Sequence, residues 1–293
     1  VYKLIIWGIG KTYNQYVNVL KYLEFKKDAQ IIALTDSNLP HFKCLDNWKI
    51  VEKGNIIDID FDCIVVMSDI YFRDILNDIK NIGIDSDKVI SYKILNLSNL
   101  DIGKYLKIKK HRITVFSNNC WGGLLYSTLG LECCSPFKNL FVKDDDYLDF
   151  LKNAQYYMEL DLKFERYEVD AHSMNKYPVM KLGNLEIHCN HDKDPVQATE
   201  KWNRRRDKIN WDNLLVEMYT EKEQSAREFL DLEQYSNKIV FVPENIEVNK
   251  AVKLPMYPKQ KEFYETVNRS VSVSGYMYDL LDVMMGEVSF RIK

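Results

Sequence analysis

A largely apolar run, Tyr2–Trp7, ends on Gly8-Ile9-Gly10 and passes directly into a helical spacing of Tyr13, Tyr16, Val17, Leu20 and Leu23. Strand, glycine turn and helix in that order constrain the fold more than any other stretch of the chain. A continuous apolar strand is buried on both faces, which happens where helices cover both sides of a parallel sheet. The pattern then repeats: residues 30–34 read as a strand closed by Thr35-Asp36-Ser37, 61–67 as a third strand, 70–82 as a helix stopping at Gly83, and 89–92 as a final strand. Strands alternating with helices imply right-handed crossovers and the α/β class. Residues 1–105 are therefore expected to form a Rossmann-like nucleotide-binding domain with a parallel sheet.

A chain of 293 residues is longer than one compact core usually needs, so a second domain is expected. The charged stretch 100–112 marks the junction, and 106–293 reads as a second α/β domain. Its strands are predicted at 113–117, 185–189, 213–218 and 238–242, and its helices at 122–129, 145–159, 195–208, 221–231 and 276–285. Pro243, Pro255 and Pro258 are expected to break the region after 242 into loops.

With 46% hydrophobic and 28% charged residues the chain has the composition of a globular protein, and a net charge of −3 lacks the basic excess of a nucleic-acid binder. No nucleic-acid partner is expected. The six cysteines form no CxxC pair, and adjacent Cys133-Cys134 is a poor start for a disulfide framework, so reduced thiols and a cytoplasmic location are expected. No stretch reaches the 18 or so apolar residues of a membrane span. The chain opens at Val1, not Met, which points to a residue or short tag ahead of it. Nothing in the letters fixes a cofactor, a metal or an oligomeric state.

The first candidate site is the glycine turn. Gly8 and Gly10 let the backbone turn tightly and approach an anion at a helix N-terminus, and Asp36, closing the second strand, stands where a carboxylate accepts ribose hydroxyls. Tyr13 replaces the third glycine of GxGxxG, which departs from a standard dinucleotide site. A plain tight turn that binds nothing explains the same residues.

The second domain offers three more. In Ser117-Asn118-Asn119-Cys120-Trp121-Gly122-Gly123, between a strand and a helix, Asn118 and Asn119 are candidate ligand contacts. Cys120 is a candidate nucleophile whose pKa a helix start would lower; a buried thiol beside capping asparagines is the plainer alternative. On the strand 185–189, Glu186, His188 and Asn190 share one face, an acid/base arrangement with His191 at the strand end. A metal held by His188, His191 and Asp192, or a polar face turned to water, would use the same residues. On the helix that follows, Lys201, Arg204, Arg205 and Lys208 fall on one face, suited to phosphate or carboxylate, and Trp202 and Trp211 offer flat surfaces for a sugar or base. A solvated basic face over core tryptophans is the alternative. Asp144-Asp145-Asp146 has the look of a metal-binding DxD but is read as the acidic start of a helix.

The segments SNNCWGG (117–123), LGLECCSPFKNLF (129–141), YPVMKLGNLEIHCNH (177–191) and KWNRRRDKINWDNL (201–214) together resemble a bacterial family of exopolysaccharide or capsular polysaccharide biosynthesis proteins, a domain of uncharacterised activity. IIWGIGKTY (5–13) is similar to Rossmann-like modules attached to polysaccharide-synthesis enzymes. The resemblance implies a pathway and a domain layout and assigns no residue a role. The expected function is a glycosyltransferase-like transferase acting on a nucleotide-activated sugar or a polysaccharide precursor. Gly8, Gly10 and Asp36 would hold the nucleotide, Arg204 and Arg205 its phosphates, and Glu186 or His188 would act as base. The alternative is a non-catalytic module that binds a nucleotide-sugar or assembles with a partner enzyme, and a thiol-dependent transfer at Cys120 is a third option.

Overall fold

The computed structural model describes residues 1–97, 99–170, 173–254 and 279–286. The chain divides into two compact units, the first Val1–Lys110 with Thr128–Gly130, the second His111–Ser127 with Leu131–Lys293. Both are α/β, each built on a four-stranded parallel sheet.

Unit 1 follows the alternation of its sequence: β1 (Tyr2–Trp7), α1 (Lys11–Phe25), β2 (Ala29–Thr35), the short pair β3 (Cys44–Leu45) and β4 (Trp48–Lys49), β5 (Cys63–Val66), α2 (Phe72–Asn81), β6 (Val89–Ser91) and α3 (Ile102–His111), whose last residue begins unit 2. The sheet runs β2-β1-β5-β6, all parallel, so strand order reverses between β1 and β5. Ligands of open α/β sheets bind at the carboxyl ends of strands beside such a reversal. Gly8 stands there with φ +104°, a backbone conformation that residues with a Cβ rarely adopt. Asp46 and Asn47, with φ 51° and 71°, make the two-residue turn joining β3 to β4. That hairpin holds Asp46 where Tyr13 donates its hydroxyl at 2.9 Å. Buried Tyr13 thus fills the space a third glycine would leave open.

In unit 2 the parallel sheet runs β13-β12-β11-β7, from β7 (Thr114–Ser117), β11 (Leu214–Tyr219), β12 (Lys238–Pro243) and β13 (Val252–Leu254). A three-stranded antiparallel sheet, β10-β9-β8, is built from β8 (Leu162–Val169), β9 (Lys176–Leu182) and β10 (Leu185–His188). The helices are α4 (Trp121–Leu129), α5 (Asp144–Lys152), α6 (Ala154–Glu159), α7 (Pro195–Arg206), α8 (Glu223–Leu230) and α9 (Leu280–Met284). Phe116, Phe137, Tyr147, Phe150 and Trp202 form the aromatic heart of the core. Gly122 lets α4 lie close on β7, since a Cβ there would meet Val115 Cγ1 at 3.1 Å and Ser117 Cβ at 3.2 Å.

Four expectations change. The helix expected over 145–159 is two, because Asn153 leaves the helical region at φ −137°, ψ 40° between α5 and α6. The charged stretch 100–112 contains α3, which buries Ile102, Tyr105 and Ile108 while its lysines coat the other face. The β8–β9 hairpin was not expected at all. Part of the region read as loops after Pro243 is β13; Pro255, Pro258 and residues 276–278 of the expected helix 276–285 lie outside the described residues. Among the described residues no helix is long and apolar enough to cross a membrane.

Candidate functional site

The first two motifs of unit 2 meet at the carboxyl end of β7. The loop leaving β7 delivers Cys120 to the start of α4, and there Cys120 Sγ lies 3.4 Å from His191 Nε2, brought in by the turn after β10. The third motif joins through Lys201, whose ammonium is ion-paired with the buried carboxylate of Asp192. His191 is exposed and Cys120 half-buried, so the pair is open to a ligand.

Beneath the pair lies a residue that none of the motifs contains. Glu217, in the middle of β11, is fully buried. Its carboxylate accepts from the Ser117 hydroxyl and from Asn119 Nδ2 at 3.0 and 3.1 Å. Burial pushes its pKa up to about 7, against which those hydrogen bonds act. Asn119 in turn caps α4, its Oδ1 accepting from the Trp121 N–H at 2.7 Å. Asn118 extends the sheet: its side chain donates to Tyr219 O and accepts from Tyr219 N–H, each at 3.0 Å. Both asparagines are buried and saturated within the protein, so they shape the loop and are not free to hold a ligand as expected.

The acid/base pair expected on β10 takes a different form. Glu186 and His188 do share a strand face, but Glu186 is clamped by Arg166, Nη1 to Oε1 at 2.7 Å and Nη2 to Oε2 at 3.1 Å, with Lys181 at 3.4 Å. These cations hold its pKa down at about 2. A carboxylate so acidic is too weakly basic to take a proton at neutral pH, so the base role expected of Glu186 lacks support from its surroundings. His188 is buried; its Nδ1 lies 3.3 Å from the Tyr177 hydroxyl, and burial lowers its pKa, favouring the neutral ring. Its backbone pairs with Phe141, and the neighbouring Val142 N–H donates to Asn118 O, which ties the antiparallel sheet to the end of β7.

Cys120 is not the low-pKa thiol that its place at a helix start suggested. Burial, with the charge of Glu217 second, pushes its pKa up to about 11, so the thiol stays protonated at neutral pH. The basic face of α7 disperses: Lys208 pairs with Glu132, Arg205 donates to Lys138 O at 3.3 Å, and Arg204 is exposed. Trp202 is core, and Trp211 packs edge-on against Phe116, centroids 5.9 Å apart, just before the amino end of β11. Cys120 and His191 stand at the opposite, carboxyl end, so Trp211 does not line the site. Asp144, Asp145 and Asp146 open α5; Asp144 accepts from the Thr220 hydroxyl at 2.6 Å and Asp146 from the Glu186 N–H at 3.1 Å.

In unit 1 the Asp36 carboxylate closes the glycine turn on itself, accepting from Ile9 N–H and Asn38 N–H at 2.9 Å each. Those contacts occupy both its oxygens, so a ribose would have to share them. Gly10 is the N-cap of α1, which has no side-chain cap and no acidic residue in its first turn. Trp7 Nε1 and Thr35 Oγ1, neighbours across β1 and β2, are buried without hydrogen-bond partners among the described residues.

A family model described as a domain of unknown function, DUF1919, matches residues 91–285. The chain belongs to the DUF1919 family. A second model, described as C2185-like, N-terminal, matches residues 1–90. The chain is also similar to an uncharacterized protein of Haemophilus influenzae (strain ATCC 51907 / DSM 11121 / KW20 / Rd), 34% identical over 138 residues. That match covers 46% of this chain and 64% of the relative, just under two thirds of its length.

Proposed function

We propose that this DUF1919 chain is a transferase of cell-surface polysaccharide synthesis, acting on a nucleotide-activated sugar or a polysaccharide precursor. The pathway rests on the resemblance carried by its four segments at 117–123, 129–141, 177–191 and 201–214, and the chemistry rests on one observation, the Cys120–His191 pair at the carboxyl end of β7. In this reading His191, not Glu186, is the proton acceptor: it is exposed, and with its Nε2 held by the Cys120 thiol its Nδ1 takes the proton of an acceptor hydroxyl. That oxygen bonds to the anomeric carbon of the donor as the bond to the nucleotide breaks, the nucleotide leaving as the free diphosphate or monophosphate. Cys120, as a protonated thiol, orients the ring. Within unit 1, taken by itself, the uncapped start of α1 beside Gly8 and Gly10 is an end at which a phosphate would be favoured.

The test adds UDP-, GDP- and CMP-sugars singly to the full chain while melting temperature is followed. One nucleotide class is expected to raise it, since a ligand at a hundred times its Kd stabilises by about 2.7 kcal/mol. His191→Ala should keep that shift and lose release of free nucleotide from the donor. A flat response to every nucleotide ends the nucleotide-sugar reading. A shift with equal nucleotide release in H191A favours a binding module, the reading to which the protonated Cys120 and the clamped Glu186 also lend weight.

A further inference from the structure

Glu217 is the only charged residue in the β11 sequence LLVEMY, and among the described residues no cation is paired with it. Burying a carboxyl group this completely is costly unless its hydrogen bonds serve something. Here they serve the loop that carries the thiol. Ser117 Oγ donates to Glu217 and lies 3.0 Å from Asn119 O; the Asn119 amide spans from Glu217 to the first N–H of α4. Cys120 is the next residue after Asn119, and His191 meets it from the other side. Each link between β11 and the thiol is thus a direct hydrogen bond or a peptide bond.

We propose that Glu217 is a positioning residue for the Cys120–His191 pair: it fixes the 117–120 loop through Ser117 and Asn119 and sets its own carboxyl charge beneath the thiol. The proposal rests on reading that pair as the site. The titratable groups that face the carboxyl are Cys120 and, from α5, Tyr147; those that face the thiol are Glu217 and His191. With no cation paired to it among the described residues, an ionised Glu217 opposes an ionised Cys120. A proton on Glu217 makes the thiolate easier to form, and its loss makes the thiolate harder to form.

Iodoacetamide alkylation of Cys120 in the full chain, followed by mass spectrometry of its peptide between pH 5.5 and 9.5, reads this directly, because only the thiolate reacts. Wild type and Glu217→Gln are expected to react alike at the acid end, where both carry no charge at position 217. As Glu217 ionises, the E217Q rate should pull ahead, by about three- to tenfold at the alkaline end, the equivalent of half to one pKa unit. A rate ratio that stays constant across the range, or equals one throughout, overturns the proposal, because in either case the charge of Glu217 does not reach the thiol it is said to position. Should E217Q not fold, Ser117→Ala replaces it. Removing a donor that favours the ionised carboxyl should move the inflection in the Cys120 profile to higher pH, and an unmoved inflection is equally fatal. Alkylation needs no donor sugar, so this result is independent of the nucleotide test, and either idea can fail alone.

Discussion

Phe137→Ala is expected to destabilise unit 2 by about 3–5 kcal/mol, the range for truncating a buried aromatic. Phe137 is almost fully buried and is the hub of the aromatic core, its ring centroid 4.6 Å from Phe150, 5.3 Å from Phe116, 5.5 Å from Trp202 and 6.0 Å from Tyr147. Those four neighbours come from β7, α5 and α7, so the cavity lies where three elements meet and no single side chain can swing in to fill it. Phe137 also precedes Phe141 and Val142, whose backbones link β10 to the end of β7. Urea unfolding followed by tryptophan fluorescence checks the loss, and a melting temperature lowered on the order of 10 °C should accompany it. Phe137→Leu should cost clearly less. A change below about 1 kcal/mol for the alanine variant would mean that the ring is not the hub described.

The second large effect is a pH dependence. Glu217 is fully buried, and its folded-state pKa of about 7 lies above the ordinary 4.5. A carboxyl whose pKa rises on folding binds its proton more tightly in the folded state, so stability falls as pH climbs from the unfolded value through the folded one. Below about pH 4.5 the group costs nothing in charge; above about pH 7 it imposes its whole penalty, about 3 kcal/mol for a shift of this size. Glu186, held near 2, behaves in the opposite sense and loses its contribution only in more acidic solution, outside this window. The comparison that isolates Glu217 is therefore E217Q against wild type at a series of pH values. The advantage of E217Q should grow by about 3 kcal/mol between pH 4.5 and 8. Parallel stability curves for the two proteins would show that the carboxyl does not titrate in the window.

Both α/β units are legible in the sequence. Tyr2–Trp7, Cys63–Val66 and Lys238–Pro243 read as strands because a parallel strand buried on both faces must be apolar throughout, and few other structures require that. The β8–β9 hairpin was not legible. β8 exposes Lys163, Phe164, Glu165, Tyr167 and Val169, and a register shift between Phe164 and Arg166 breaks the alternation that would mark it as a strand. α3 was hidden for a related reason: its three buried positions are diluted by lysines that an amphipathic helix turns to water.

For the site, residue types and local elements determined that Cys120 stands at a strand-to-helix turn and His191 just past a strand, since both follow from spacing along the chain. That the two meet across 71 positions was decided by the order in which the strands pack. Their chemistry was decided there too. Glu186 is a poor base because Arg166 from β8 happens to lie over it, and Cys120 keeps its proton because burial and Glu217 surround it. Glu217 itself left one trace in the letters, an acid in the middle of an apolar strand, which reads as a misfit until Ser117 and Asn119 are seen to hold it. Local sequence governs which backbone shape each segment prefers, because those forces act over a few residues. Ionisation depends on what lies within a few ångströms in space, and only the folded chain settles which groups those are.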